Sequence, residues 1–123
     1  MRWHRFIRRR VPDNTEVSGF QADLGDGYWG SLYDGSRRNK TLVKPDDKHI
    51  EKVLKRGQWN DYRILCEGAR VRLYMNGVQT ADYTETDSSI PAHGIIGLQI
   101  HAGKPSEAWY KDIVIRPMRP RGE

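Results

Sequence analysis

The sequence predicts an all-β fold, a sandwich of antiparallel strands with one short connector helix. Three observations carry that prediction. Apolar residues alternate with period two in one segment after another, as they do in strands with one face turned to a core. Glycine-containing turn signals separate these segments, among them Asn76–Gly77, a pair suited to a two-residue hairpin. Only one stretch has helical spacing, which leaves about seven strands and favours a layered sandwich or jelly roll over an α/β fold.

In chain order, residues Gly19–Leu24 place Phe20, Ala22 and Leu24 on one face and Gln21 and Asp23 on the other. The stretch Gln21–Arg38, "QADLGDGYWGSLYDGSRR", continues as strand, tight turn and returning strand, with Trp29, Ser31 and Tyr33 expected on one face of the return. Its aromatic, acidic and glycine content suits display to solvent better than a packed core. Asp46–Arg56 is the helical segment: two Asp near its start, Ile50, Val53 and Leu54 at helical spacing, and Gly57 to stop it. Tyr62–Glu67 alternates again, Gly68 supplies a turn, and Val71, Leu73 and Met75 return to the Asn76–Gly77 hairpin and Val78–Tyr83. Gly94–His101 and Trp109–Arg116 are expected as two more strands. In the first, Ile96, Leu98 and Ile100 share one face, and Ile95, Gly97, Gln99 and His101 share the other.

At 123 residues the chain holds one domain, expected over residues 11–116 between basic segments at 1–10 and 117–123. The net charge of +5 is concentrated at the ends. Residues 1–10 and 116–123 contain eight Arg and one Glu, which leaves 13 basic and 15 acidic side chains between them. The charge is therefore no nucleic-acid footprint on the folded part, and no specific nucleic-acid partner is expected. No apolar run is long enough to cross a bilayer. The opening "MRWHRFIRRR" has no uncharged apolar segment of the kind a secretion signal needs. Cys66 is the only cysteine, which excludes an internal disulfide, and it is expected as a small buried residue.

Phosphate-cradling, zinc-protease and serine-hydrolase motifs are absent. Asp23 and Asp26 stand too close along the chain to flank a glycosidic bond as acid and base. Trp59, Trp109 and Tyr110 are expected in the core, and His49 and His93 in solvent. Gln99 and His101 alone would read as a solvated sheet face. Together with Gln21, Asp23, Trp29 and Tyr33 they form an inventory of amide, carboxylate, imidazole and aromatic groups. Such groups suit a sugar, whose hydroxyls take planar polar partners and whose C–H faces stack on rings.

Three blocks, "VSGFQADLGDGYWGSLYDGSRRNK", "QWNDYRILCEGARVRLYMNGVQTADY" and "GIIGLQIHAGKPSEAWYKDIVI", stand in order from about Arg10 to Ile115. In sequence and spacing they closely resemble the 3-keto-disaccharide hydrolase domain family. The resemblance implies a concanavalin A-like jelly roll acting on glycosides already oxidised to a ketone at C3. That ketone acidifies the C2 proton, so one base and one partner for the enolate oxygen suffice to expel the C1 substituent, after which water can add back. The outcome is hydrolase or lyase chemistry, and the alternative is a non-catalytic carbohydrate-binding module on the same fold.

Carried onto this chain, the resemblance makes His101, in "GLQIH", the first candidate for the base or for a ligand to a divalent metal. Asp23 and Arg37 join it as catalytic candidates, and Gln21, Trp29, Tyr33, Arg38 and Gln99 as substrate-binding ones. It further implies a periplasmic or extracellular site of action. Family members carry further N-terminal strands, so the domain is expected to be shortened at that end, with an exposed edge open to self-association. Gly19 stands where many members have Glu.

Overall fold

Two β-sheets share one core in the computed structural model, which describes residues 2–4, 8–10, 17–99 and 107–118. The strands are β1 (Arg2–His4), β2 (Arg8–Arg10), β3 (Val17–Ala22), β4 (Leu32–Gly35), β5 (Lys40–Val43), β6 (Tyr62–Glu67), β7 (Arg70–Met75) and β8 (Val78–Thr84), with helix α1 at Asp47–Val53. In one sheet β6, β7 and β8 run antiparallel in chain order, and β1 lies parallel against β6. The other holds β3, β4 and β5 in the same antiparallel manner, with β2 antiparallel on β3. Among the described residues the all-β expectation with a single short helix is met.

Alternation works as expected where the strands are regular. Ile64 and Cys66 of β6, and Val71, Leu73 and Met75 of β7, meet Phe20 of β3 and Leu32 of β4 between the sheets. Asn76 and Gly77 both adopt positive φ, as a two-residue hairpin turn requires. A bulge changes the rhythm in β8: the register shifts between Leu73 and Tyr74, so Thr80 and the next residue Ala81 are both buried. Thr80 uses that inward turn to donate from Oγ1 to the Gly30 carbonyl at 2.9 Å.

Four expectations need correction. β4 starts at Leu32 rather than at Trp29, because residues 23–31 form a closed turn. Asp23 N donates to Ser31 O at 2.9 Å, Gly30 N to Asp23 O at 3.2 Å and Ser31 N to Tyr28 O at 3.0 Å. β5 is not predicted by the sequence, since four residues with only Leu42 and Val43 apolar are too short for a rhythm to show. Helix α1 is shorter than Asp46–Arg56. Asp46 caps it by accepting from Lys48 N at 2.8 Å, but Leu54 is already extended, and Asn60 Oδ1 takes the Lys55 N–H at 2.8 Å.

The fourth correction concerns residues 94–99 and 109–116, which form no strand beyond an isolated bridge at Ile95. Their apolar alternation is real, yet Leu98, Ile113, Val114 and Ile115 are exposed. Alternation marks a segment with two different faces, and a strand additionally needs a neighbouring edge to bond to. Cys66 is buried, and His49 and His93 are exposed, as expected. Among the described residues no helix is long and apolar enough to cross a membrane.

Candidate functional site

The outer face of the β3–β4 pair is built on register. Gln21 lies opposite Tyr33, and Gly19 opposite Gly35, while their chain neighbours Phe20 and Asp34 pair on the inner face. Gly35 leaves room that Gln21 fills: a Cβ at position 35 would stand 2.8 Å from Gln21 Nε2 and 3.0 Å from its Cδ. From this bare floor Gln21 Nε2 donates to Gln99 Oε1 at 2.7 Å, across 78 positions of sequence. The bond uses one donor and one acceptor of two side chains that each carry several, and it fixes the orientation of both amide planes. Tyr110 Oη, half-buried so that loss of its proton is disfavoured, donates to the Gln99 carbonyl at 3.4 Å. The structure therefore brings Gln21, Tyr33 and Gln99 together. His101 lies outside the described residues.

Arg37 and Arg38 are held elsewhere. Asp34 is fully buried on the core side of β4 and receives Arg37 Nε at 2.9 and 3.1 Å on its two oxygens, and Arg38 Nε on Oδ2. Arg37 Nη2 lies 2.7 Å from Oδ1 but off the line of a hydrogen bond, so that contact is electrostatic. The Arg37 guanidinium also covers the buried Phe20 ring, 4.9 Å from its centroid. Arg38 then spans to the other sheet, where its fork grips Glu85, just beyond β8, at 3.1 and 2.6 Å. Tyr83 Oη donates to Glu85 Oε2 at 3.1 Å.

Burial pushes the Asp34 carboxyl up, but the hydrogen bonds and charges of the two arginines outweigh it and hold it below its ordinary value. The Arg38 fork lowers Glu85 in the same way. Nothing in the alternation could have picked out Asp34, whose partners are recognisable only once the turn after β4 has formed.

Asp23 follows the end of β3, so alternation no longer fixes its direction. Burial, and after it the Asp23 charge, push the Tyr62 hydroxyl well above the ordinary tyrosine value. Asp23 thus acts on a core tyrosine. Its carbonyl also accepts from Tyr62 Oη at 3.3 Å.

Trp29, on the turn, packs against the core and lines a cleft of about 250 Å³ with Lys44, Glu51 and Arg56. Arg56 is paired with Asp26 at 2.9 Å and Glu51 at 2.6 Å. Trp29 also lines a second cleft with Trp59 and Trp109. Those two tryptophans were expected in the core but are 49% and 72% exposed. Leaving the sheets exposes Trp109, and Trp59 stands on the turn that follows α1 instead of starting β6.

Among the described residues no three His, Cys, Asp or Glu side chains come together as a metal would need. No curated protein and no solved structure matches the chain, whereas the family model of the 3-keto-alpha-glucoside-1,2-lyase-like domain matches residues 5–116.

Proposed function

We propose, for a chain that belongs to the 3-keto-alpha-glucoside-1,2-lyase-like domain family, that it cleaves glycosides carrying a ketone at C3 by removing the C2 proton and releasing the C1 substituent. The observation that supports this reading most is the Gln21–Gln99 amide pair over the Gly35 floor, with Tyr33 beside it. Planar amides of fixed orientation suit the vicinal oxygens of a pyranose, and an amide N–H aimed at the C3 oxygen would stabilise the charge that develops there.

In the proposed reaction His101, two positions after Gln99, takes the C2 proton. The electrons of that C–H bond pass into the enolate and then into a C1–C2 double bond as the C1–O bond breaks. The departing oxygen takes up a proton. Addition of water across the new double bond gives the hydrolytic product, and omission of that step gives the lyase product. We read the two sheets as part of a concanavalin A-like jelly roll, and Arg37 and Arg38 as the clamp between its layers, since Asp34 and Glu85 already engage them. Asp23 stays in the proposal as a charge near the site rather than as the base.

Incubation with a 3-keto-glucoside and with its unoxidised parent, each with and without a chelator, tests the proposal. Only the oxidised glycoside should be cleaved. His101→Ala should lower turnover by at least about a hundredfold while binding persists. Binding of both sugars without cleavage by the native chain would favour the carbohydrate-binding module, and equal cleavage of the unoxidised glycoside would refute the ketone-dependent route.

A further inference from the structure

Asn76 and Gly77 close the β7–β8 hairpin in different surroundings. Gly77 is exposed, whereas Asn76 is half-buried and its amide is bonded on both sides. Nδ2 donates to Val53 O at 2.7 Å and to Asn60 Oδ1 at 2.9 Å, and Oδ1 accepts from Asp61 N at 2.9 Å. Val53 is the last residue of α1, so Asn76 supplies a donor that the helix end lacks. Asn60 is itself held by the Lys55 N–H and by the Lys55 and Gln58 carbonyls. One amide thus ties the hairpin turn to the end of α1 and to the residue before β6.

The same pair has a chemistry of its own. The backbone nitrogen of Gly77 can attack Asn76 Cγ, because glycine has no side chain to cover that nitrogen. The new N–Cγ bond forms as the nitrogen gives its proton to water, the Cγ–Nδ2 bond breaks, and Nδ2 takes up a proton and leaves as ammonia. The cyclic imide that remains is opened by water at one of its two carbonyls. The product is Asp, or the isomer whose main chain runs through Cγ. Nothing is oxidised or reduced. Asn39 and Asn60 are followed by Lys40 and Asp61, whose side chains hinder the same attack.

In the folded chain, Cγ reaches the Gly77 nitrogen only after the bonds to Val53, Asn60 and Asp61 give way. Water is at hand, since Asn76 lines a hollow of about 280 Å³ with Asn60 and Asp61. The hydrogen bonds, rather than exclusion of solvent, are what hold the amide back.

We propose that Asn76 is a site of spontaneous deamidation through the Gly77 nitrogen, that its hydrogen bonds in the folded hairpin suppress the reaction, and that the modified residue no longer fastens α1 to the turn. A carboxylate at this position has no hydrogen for Val53 O or Asn60 Oδ1 and sets its charge against both oxygens. The isomer lengthens the main chain of a turn whose register, Met75 opposite Val78, leaves two residues between the strands. The change is one-way, so each opening of the hairpin risks a chain that cannot close in the same manner.

The test incubates the full chain at mildly alkaline pH, folded and in guanidinium chloride, and follows the conversion of Asn76 by peptide mapping and mass spectrometry. In denaturant Asn76 should convert faster than Asn39 and Asn60. In the folded chain its conversion should be slower by about tenfold or more, the worth of the bonds that must open. Equal rates in the two states would overturn the proposal, and this comparison needs no variant. Asn60→Ala removes one acceptor and should speed conversion in the folded state about fivefold without changing the rate in denaturant. No acceleration in a folded Asn60→Ala chain would remove the network as the cause. Asn76→Asp, which carries the product side chain, should melt about 5 to 10 °C lower. An unchanged melting temperature would overturn the unfastening of α1.

Discussion

At position 35 a hydrogen atom stands where any other residue would place a carbon against the Gln21 amide. The atoms it would strike are the mobile end of a side chain, and Gly35 is not among the residues with positive φ, so Gly35→Ala should cost less than about 1 kcal/mol. It should nevertheless turn Gln21 away from Gln99 and raise KM for a 3-keto-glycoside about fivefold, the worth of roughly one hydrogen bond. Thermal melts and steady-state kinetics on the same preparation decide it. A lower melting temperature with unchanged KM would make Gly35 a packing residue only. Much at this scale was legible in the sequence. Period two turns Gln21 and Gln99 each away from the apolar face of its own segment, but it does not pair them, and Gln99 stands on a segment that forms no strand. Asp34 was not legible, because a carboxylate can be buried only with its counter-charges in place, and Arg37 and Arg38 reach it through a turn whose shape the alternation does not encode.

Among the elements, the turn at residues 23–31 is fixed from outside itself by the bulge in β8. Gly30 has φ +72, and a Cβ there would lie 2.8 to 2.9 Å from three atoms of Thr80. Both the backbone conformation and the space exclude a side chain, so Gly30→Ala should destabilise by about 3 kcal/mol. Denaturant unfolding should show this as a lower midpoint with an unchanged slope, and a midpoint equal to the native one would mean the turn tolerates a different path. The hairpins of β6, β7 and β8 were readable because local signals sufficed: alternation on each strand and Asn-Gly between two of them. Residues 94–99 and 109–116 have comparable alternation but join no ladder among the described residues, and whether a segment pairs depends on the rest of the chain. Trp109 stands on the second of these segments and is exposed.

At the scale of the whole molecule, the described residues join the two sheets by apolar packing and by the electrostatic bridge Asp34–Arg38–Glu85, from the turn after β4 to the end of β8. Asp34 and Glu85 are both held below their ordinary values of 3.8 and 4.5. Above about pH 5 both carboxyls are ionised in the folded and the unfolded chain, and their contribution is complete. As the pH falls through 4.5 and then 3.8, the unfolded chain takes up protons first, so stability declines until the folded carboxyls are protonated too. The melting temperature should therefore be flat from pH 7 to about 5 and fall below it. Asp34→Asn should be less stable by about 3 kcal/mol at neutral pH and show a shallower acid decline. An equally steep decline in that variant would place the acid sensitivity elsewhere.

The functional account depends on one chemical event, the loss of the C2 proton from a 3-keto-glycoside. The most direct measurement is cleavage of a substrate deuterated at C2, followed by magnetic resonance of the sugar product. Deuterium passing into the solvent as the C1 substituent leaves is the predicted result, whereas release of that substituent with C2 deuterium fully retained would contradict the account.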